Sequence, residues 1–288
     1  MRRVEKDFQK PPVELKACVQ KYKMIFLAEN KDEALKSNYY QNARKALEEL
    51  YHGKCAYCEI SNKTGSYMRI DHYRPKSLYP WLAVEWSNLV YSCEICNTKK
   101  GNQFPLPEGI SRVIKGEPGS AESLANSRVL LDENPLLLHP ELNDPRQHLE
   151  FQIDGIIKGK NGSKIGETTI KVCDLNRIDL RIARKTQIDR ILSRINEITE
   201  FIAVLIMKSP EVYYRDEIFW LSFYSKTFHA LRKLQEPKDQ NAFTLLGFYM
   251  YEEFPYFIIG RLPENDMRLI VRKAFMLFKE GKLEVNTL

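Results

Sequence analysis

Two C-x-x-C pairs, Cys55/Cys58 and Cys93/Cys96, frame an acid–histidine pair at Asp71–His72, and Asn97 follows the last cysteine directly. Four thiolates close a tetrahedral shell around one zinc ion and leave no position open, so that ion would staple the fold and do no chemistry. The chemistry lies with the insert. Cutting a phosphodiester bond takes a water deprotonated near neutral pH and a charge that steadies the phosphate and the departing oxygen. A neutral histidine, with an ordinary pKa of about 6.5, suits the first task. A carboxylate and an amide oxygen suit the second by holding a magnesium or manganese ion, with water and phosphate in its remaining positions. His72, Asp71 and Asn97 supply these three groups. Neighbours on an extended strand point to opposite faces, so bringing Asp71 and His72 together requires a bulge or loop there.

The 34 residues between the cysteine pairs exceed the usual interval of a plain zinc ribbon, and they carry the chemistry-bearing side chains. In this arrangement the segment resembles the HNH, or ββα-metal, endonucleases: a knuckle, then DH, then an asparagine ahead of C-x-x-C-N-x-x-K. The resemblance implies that His72 is the general base and that Asp71 and Asn97 are the ligands of the catalytic metal. It also implies that Asn88 braces the histidine-bearing loop, and that Lys100, with Arg74 and Lys76 as weaker candidates, touches phosphate. CAYCE, DHYRPKS, CNTKKGNQFP and TTIKVCDLNRIDLRIAR extend the likeness over roughly residues 40–190, to the PtuB-type HNH proteins of Septu and retron-linked anti-phage systems. That likeness implies a PtuA-type ATPase partner, a defence role and, in the retron-linked systems, a reverse transcriptase with its RNA and DNA. DNA is the favoured substrate. Two rival readings remain: an endonuclease of RNA, such as transfer RNA, with the same site, and a catalytically silent zinc-stapled adaptor.

The elements that must position these groups can be read in outline. Residues 1–50 are expected to be helical: Ala43, Ala46, Leu47, Leu50 and Tyr51 recur at helical spacing before a stop at Gly53, and an earlier helix begins near Pro11–Pro12. Residues 51–150 form the nuclease core, with a short hairpin and a helix over 54–104 and loop over 105–135. Residues 151–288 form a helical C-terminal region, entered through a second small hairpin around Gly155. A long helix is expected from Asn176, capped there, with an apolar stripe at Ile188, Ile191, Ile195, Ile198, Ile202 and Leu205 and an end at Ser209–Pro210. Helices follow at 212–235 and 265–280. The fold class is α+β, mainly α: a zinc-knuckled ββα-metal core flanked by helical regions.

Charge is unevenly spread. Residues 1–50 carry 11 basic and 8 acidic side chains, residues 51–154 carry 11 and 13, residues 155–195 carry 10 and 4, and residues 196–288 carry 12 and 13. The cysteine-framed segment is therefore not a basic patch, and attraction for phosphate must come from elsewhere. Arg177, Arg181 and Arg184 share one helical face at i, i+4 and i+7. They are candidates either for phosphate or for internal ion pairs. Seven aromatics between Phe243 and Phe257 make either core or a partner-docking surface. His52, His139, His148 and His229 show no ligating pattern. MRRVEKDFQKPP has no apolar signal segment and no stretch is long and apolar enough for a membrane span, so a cytoplasmic protein is expected, with Cys18 and Cys173 as free thiols.

Overall fold

In the computed structural model of the chain, residues 1–28, 30–61, 67–238, 243–263 and 265–283 are described. The chain divides into two compact units. One comprises Met1–Glu150 and Ile157–Arg177; the other comprises Phe151–Ile156 and the chain from Ile178 onward.

In the first unit, α1 (Val13–Leu27) starts after Pro12 and buries Leu15, Tyr22 and Phe26 along one face. After α2 (Lys31–Lys36) a 3-10 turn at Tyr39–Ala43 leads into α3 (Arg44–Tyr51), which buries Leu47 and Tyr51. The stop falls one residue before the expected glycine. His52 takes the left-handed conformation (φ 53°), and the Gly53 amide (φ 68°) donates back to Glu48 O at 2.8 Å, satisfying a carbonyl the helix end would strand. Next come β1 (Met68–His72) and β2 (Leu89–Cys93), antiparallel with Met68 opposite Cys93 and His72 opposite Leu89, and then α4 (Glu94–Lys100). This is the expected hairpin and helix.

Residues 105–135 are irregular apart from a 3-10 turn at Ala121–Ser123 and one turn of helix, α5 (Arg128–Leu131). The second hairpin exists, as β3 (Leu149–Phe151) and β4 (Ile157–Gly159). It is followed by a helix that the alternating pattern hid, α6 (Lys164–Val172), whose start is the Ser163 side chain accepting from Gly166 N. Asn176 does not cap the long helix. Its side-chain oxygen accepts from Ile157 N and its amide donates to Ile157 O, both at 2.8 Å, so it secures β4.

The second unit is helical: α7 (Ile178–Lys208), α8 (Pro210–Arg215), α9 (Glu217–Leu221), α10 (Ser225–Lys233), α11 (Thr244–Glu252), α12 (Phe254–Phe257) and α13 (Asn265–Lys279). α7 ends at Ser209–Pro210 as expected, and its buried stripe holds Ile188, Ile191, Ile195 and Ile202 together with Arg184 and Thr199. Phe243, Tyr249, Phe254 and Phe257 are buried, and Phe254 stacks on Phe275 with centroids 3.9 Å apart, so these rings are core; Tyr256 is exposed. Among the described residues no helix is long and apolar enough to cross a membrane.

Candidate active site

The first knuckle is a tight turn. Cys55 N donates to Ile60 O and Glu59 N to Cys55 O, both at 3.0 Å, with Glu59 left-handed (φ 64°) and Ala56 N joined to Tyr91 O of β2 at 2.7 Å. The second knuckle is the start of α4, where Cys93 is the cap and its sulfur accepts from Cys96 N at 3.5 Å. A helix start favours thiolate over thiol there. The four sulfurs are buried and lie within 4.8 Å of one another, with Cys58 and Cys93 Sγ 3.7 Å apart. A tetrahedral ion with metal–sulfur bonds of about 2.3 Å requires sulfurs about 3.8 Å apart, so this cluster fits such an ion.

Arg177 closes the cluster. Its guanidinium nitrogens lie 3.5 Å from Cys96 Sγ and 3.7 Å from Cys58 Sγ. The sequence placed this residue on the long helix beside Arg181 and Arg184, but α7 begins only at Ile178.

β1 carries Asp71 and His72 in regular register, opposite Val90 and Leu89. The bulge that convergence seemed to require is absent, and the two side chains take different surroundings. Asp71 is buried against Tyr57 and Lys100: Tyr57 OH donates to Oδ2 at 2.6 Å, and Lys100 Nζ lies 3.2 Å from Oδ1 and 3.1 Å from Oδ2. Burial pushes the Asp71 carboxyl pKa upward, partly offset by Lys100 and Tyr57. The same ammonium donates to His72 O at 2.7 Å, tying α4 to β1 at the histidine.

On the other side, His72 Nε2 lies 2.8 Å from Ala83 O. A carbonyl only accepts, so Nε2 carries the proton and Nδ1 the lone pair. Nδ1 has no hydrogen-bond partner among the described residues. Burial pushes the His72 pKa down to about 4, aided by Lys76 and Lys100 and opposed by the Ala83 bond. The ring is therefore a neutral base at physiological pH.

Asn88 holds the loop after His72. Its Oδ1 accepts from Arg74 N at 2.8 Å, and its Nδ2 donates to Arg74 O at 3.0 Å and Leu82 O at 3.1 Å. Both limbs of the loop that presents Ala83 O are thus pinned by one buried amide. Asn97, on α4 between Cys96 and Lys100, is half-buried, and its side chain has no hydrogen-bond partner among the described residues.

A carboxylate and an amide suit a hard divalent cation. Asn97 is unengaged, whereas Asp71 already shares its charge with Lys100.

Three of the six basic candidates are not placed to meet phosphate. Arg74 is buried, with Nε 2.9 Å from Glu133 Oε2 and a terminal nitrogen donating to Leu130 O at 2.6 Å; Tyr79 OH and Val113 N complete the Glu133 carboxylate at 2.8 and 2.9 Å. Lys100 is fully buried in the clamp just described. Arg184 is 1% exposed and donates to Gly155 O at 3.1 Å, so the third arginine of the supposed basic face is core. Lys76, Arg177 and Arg181 keep partial exposure; Arg181 pairs with Asp154 at 3.2 Å. Tyr57, Glu133 and the Ala83 carbonyl escaped the sequence reading. Tyr57 sits inside the first knuckle, where residue type carries no signal, and Ala83 acts through its backbone.

Residues 55–103 match the family model of the HNH endonucleases, a span that runs from the first knuckle to just past α4. Beyond the domain, the chain is a relative of the Septu protein PtuB of Bacillus mycoides (strain KBAB4), 38% identical over 154 residues, 49% of this chain and 48% of the relative. It is 29% identical to the Septu protein PtuB of Bacillus thuringiensis over 160 residues, 52% of this chain and 51% of the relative. A stretch of 146 residues is 31% identical to the Septu protein PtuA of Bacillus mycoides, covering 46% of this chain and 19% of that protein. The chain spans about half the length of the PtuB relatives it matches.

Proposed function

We propose that the chain is a metal-dependent endonuclease that hydrolyses phosphodiester bonds of DNA, with His72 as general base. The observation that carries this reading is the state of the imidazole: Nε2–H is spent on Ala83 O, which leaves Nδ1 a neutral acceptor with no partner among the described residues. Nδ1 takes a proton from water as the water oxygen attacks phosphorus and the bond to the sugar oxygen breaks. Asn88 and Lys100 act through position, the first by pinning the loop that supplies Ala83 O, the second by holding the His72 carbonyl. Cys55, Cys58, Cys93 and Cys96 would hold zinc, which when bound would keep β2 and α4 in register with the first knuckle. Asp71 and Asn97 would hold magnesium or manganese, which when bound steadies the charge on the phosphate and the leaving oxygen.

The likeness to Septu PtuB supports a role in anti-phage defence inside the cell. A PtuA-type ATPase partner is the corresponding reading, since residues 51–154 carry more acid than base and offer little attraction of their own for nucleic acid. The deciding experiment assays the wild type and His72→Ala on DNA and on RNA with Mg²⁺ or Mn²⁺, alone and with the ATPase. The expected result is cutting of DNA that His72→Ala lowers by about 10²- to 10⁴-fold, with zinc content and circular dichroism unchanged. Equal activity of the two proteins, or none on either substrate in any mixture, would instead favour a zinc-stapled adaptor.

A further inference from the structure

A histidine held by one hydrogen bond is fixed in tautomer but not in orientation, because the ring can still tilt about the N–H···O axis. Among the described residues the His72 ring has that single bond, to Ala83 O. A second constraint comes from outside the span that matches the HNH model. Tyr40 lies in the 3-10 turn Tyr39–Ala43, which packs on β1. Its ring centroid is 4.8 Å from that of His72, with the planes at 69°, an edge-to-face pair. Tyr40 is half-buried and is itself braced: Lys76 Nζ lies 5.3 Å from its ring centroid while donating to Leu35 O of α2 at 2.9 Å. The lysine four residues past His72 thus ties the histidine loop to the N-terminal helices and contacts the ring that contacts the imidazole.

We infer that Tyr40 is a positioning residue for His72: its ring removes the tilt that Ala83 leaves open and aims Nδ1 at the attacking water. The inference rests on His72 being the base. A general base works only within hydrogen-bond reach of the proton it takes, and a displacement of about 1 Å can cost a hundredfold in rate. An aromatic ring so close to the site could instead stack a base of the substrate, and that alternative has a different kinetic signature.

The test is steady-state cleavage by the full chain with Tyr40→Ala and Tyr40→Phe, together with nitrogen-15 spectra of the His72 imidazole. Tyr40→Ala is expected to lower kcat about ten- to a hundredfold with KM unchanged. Tyr40→Phe keeps the ring and restores kcat. The imidazole of the wild type and of Tyr40→Phe should show one sharp Nε2–H form; that of Tyr40→Ala should broaden or mix tautomers. A raised KM with kcat preserved would overturn the inference in favour of substrate stacking. Wild-type kcat and an unchanged imidazole spectrum in Tyr40→Ala would overturn it outright. If the wild type cuts nothing while the imidazole spectra respond as described, the contact stands and the nuclease reading is the one that fails.

Discussion

Asn88→Ala removes the side chain on which the histidine loop hangs. In the wild type this amide, 2% exposed, makes three hydrogen bonds to two backbone segments, Arg74 N, Arg74 O and Leu82 O. Alanine strands a buried Arg74 N–H, at a cost of about 1–3 kcal/mol, and takes one donor from each of two carbonyls, at about 1 kcal/mol apiece. Some of that is recovered if water enters, so the net is about 3 kcal/mol. At about 1.4 kcal/mol per factor of ten, the local opening constant rises roughly a hundredfold. The Arg74 amide reports it directly: its native-state hydrogen exchange should quicken by about that factor, while amides of α1 keep their wild-type rates. Asn88→Asp sharpens the test. It keeps an acceptor for Arg74 N but sets a carboxylate against two carbonyl oxygens. That environment raises the folded-state pKa, so the folded protein binds the proton more tightly. The variant should therefore gain stability as pH falls through the raised pKa and lose it above. Arg74 exchange within about threefold of wild type in Asn88→Ala, or an aspartate variant as stable as wild type at pH 7, would refute the bracing role.

Cys93→Ser takes away one of the four thiolates while serine, a good N-cap, leaves the start of α4 capped, and should yield metal-free, poorly soluble protein by metal analysis and gel filtration. Arg177→Ala should fold with its ion yet release it to a chromophoric chelator about ten- to a hundredfold faster, because the two N–H···S contacts are gone. Unchanged release with weaker, less salt-dependent DNA binding would assign Arg177 to phosphate instead. Glu133→Gln leaves the Arg74 charge buried without its counter-ion and should cost about 3 kcal/mol, read as a lowered urea midpoint in tryptophan fluorescence. For His72, folding lowers the pKa from the ordinary 6.5 to about 4. Between those values the unfolded chain binds the proton and the folded chain does not, so this group's share of stability falls as pH drops from 6.5 toward 4. An NMR titration of the His72 ring with a midpoint above 6 would contradict the burial described here.

What the sequence disclosed was local. Both knuckles, the hairpin, α4 and the end of α7 at Ser209–Pro210 depend on residues a few positions apart, and their types carry the signal. The surroundings of Asp71 and His72 depend on partners that sequence spacing does not pair: Tyr57 OH, Ala83 O and Tyr40. The arginines show the limit most sharply. Their i, i+4, i+7 spacing suggested one cationic face, yet Arg177 meets sulfur, Arg181 a carboxylate and Arg184 a buried carbonyl. A guanidinium satisfies all three partners, and phosphate too, so residue type could not choose among them. The absent bulge in β1 is a similar case. Adjacency of Asp71 and His72 suggested a break in the strand to bring them together, whereas the strand stays regular and Lys100 contacts both, Asp71 through its carboxylate and His72 through its carbonyl.

α4 is seven residues long, and within five of them it holds Cys96, Asn97 and Lys100. A helix of that length does not persist in water by itself. Its permanence is borrowed from sulfur at one end and from the Asp71–His72 strand at the other. A mild oxidant or a thiol-seeking chelator, acting on the sulfurs and not on the imidazole, would let this short coil fray and carry the asparagine out of place. An ion held by the four thiolates would then be a control point in its own right, separate from the groups that meet the substrate.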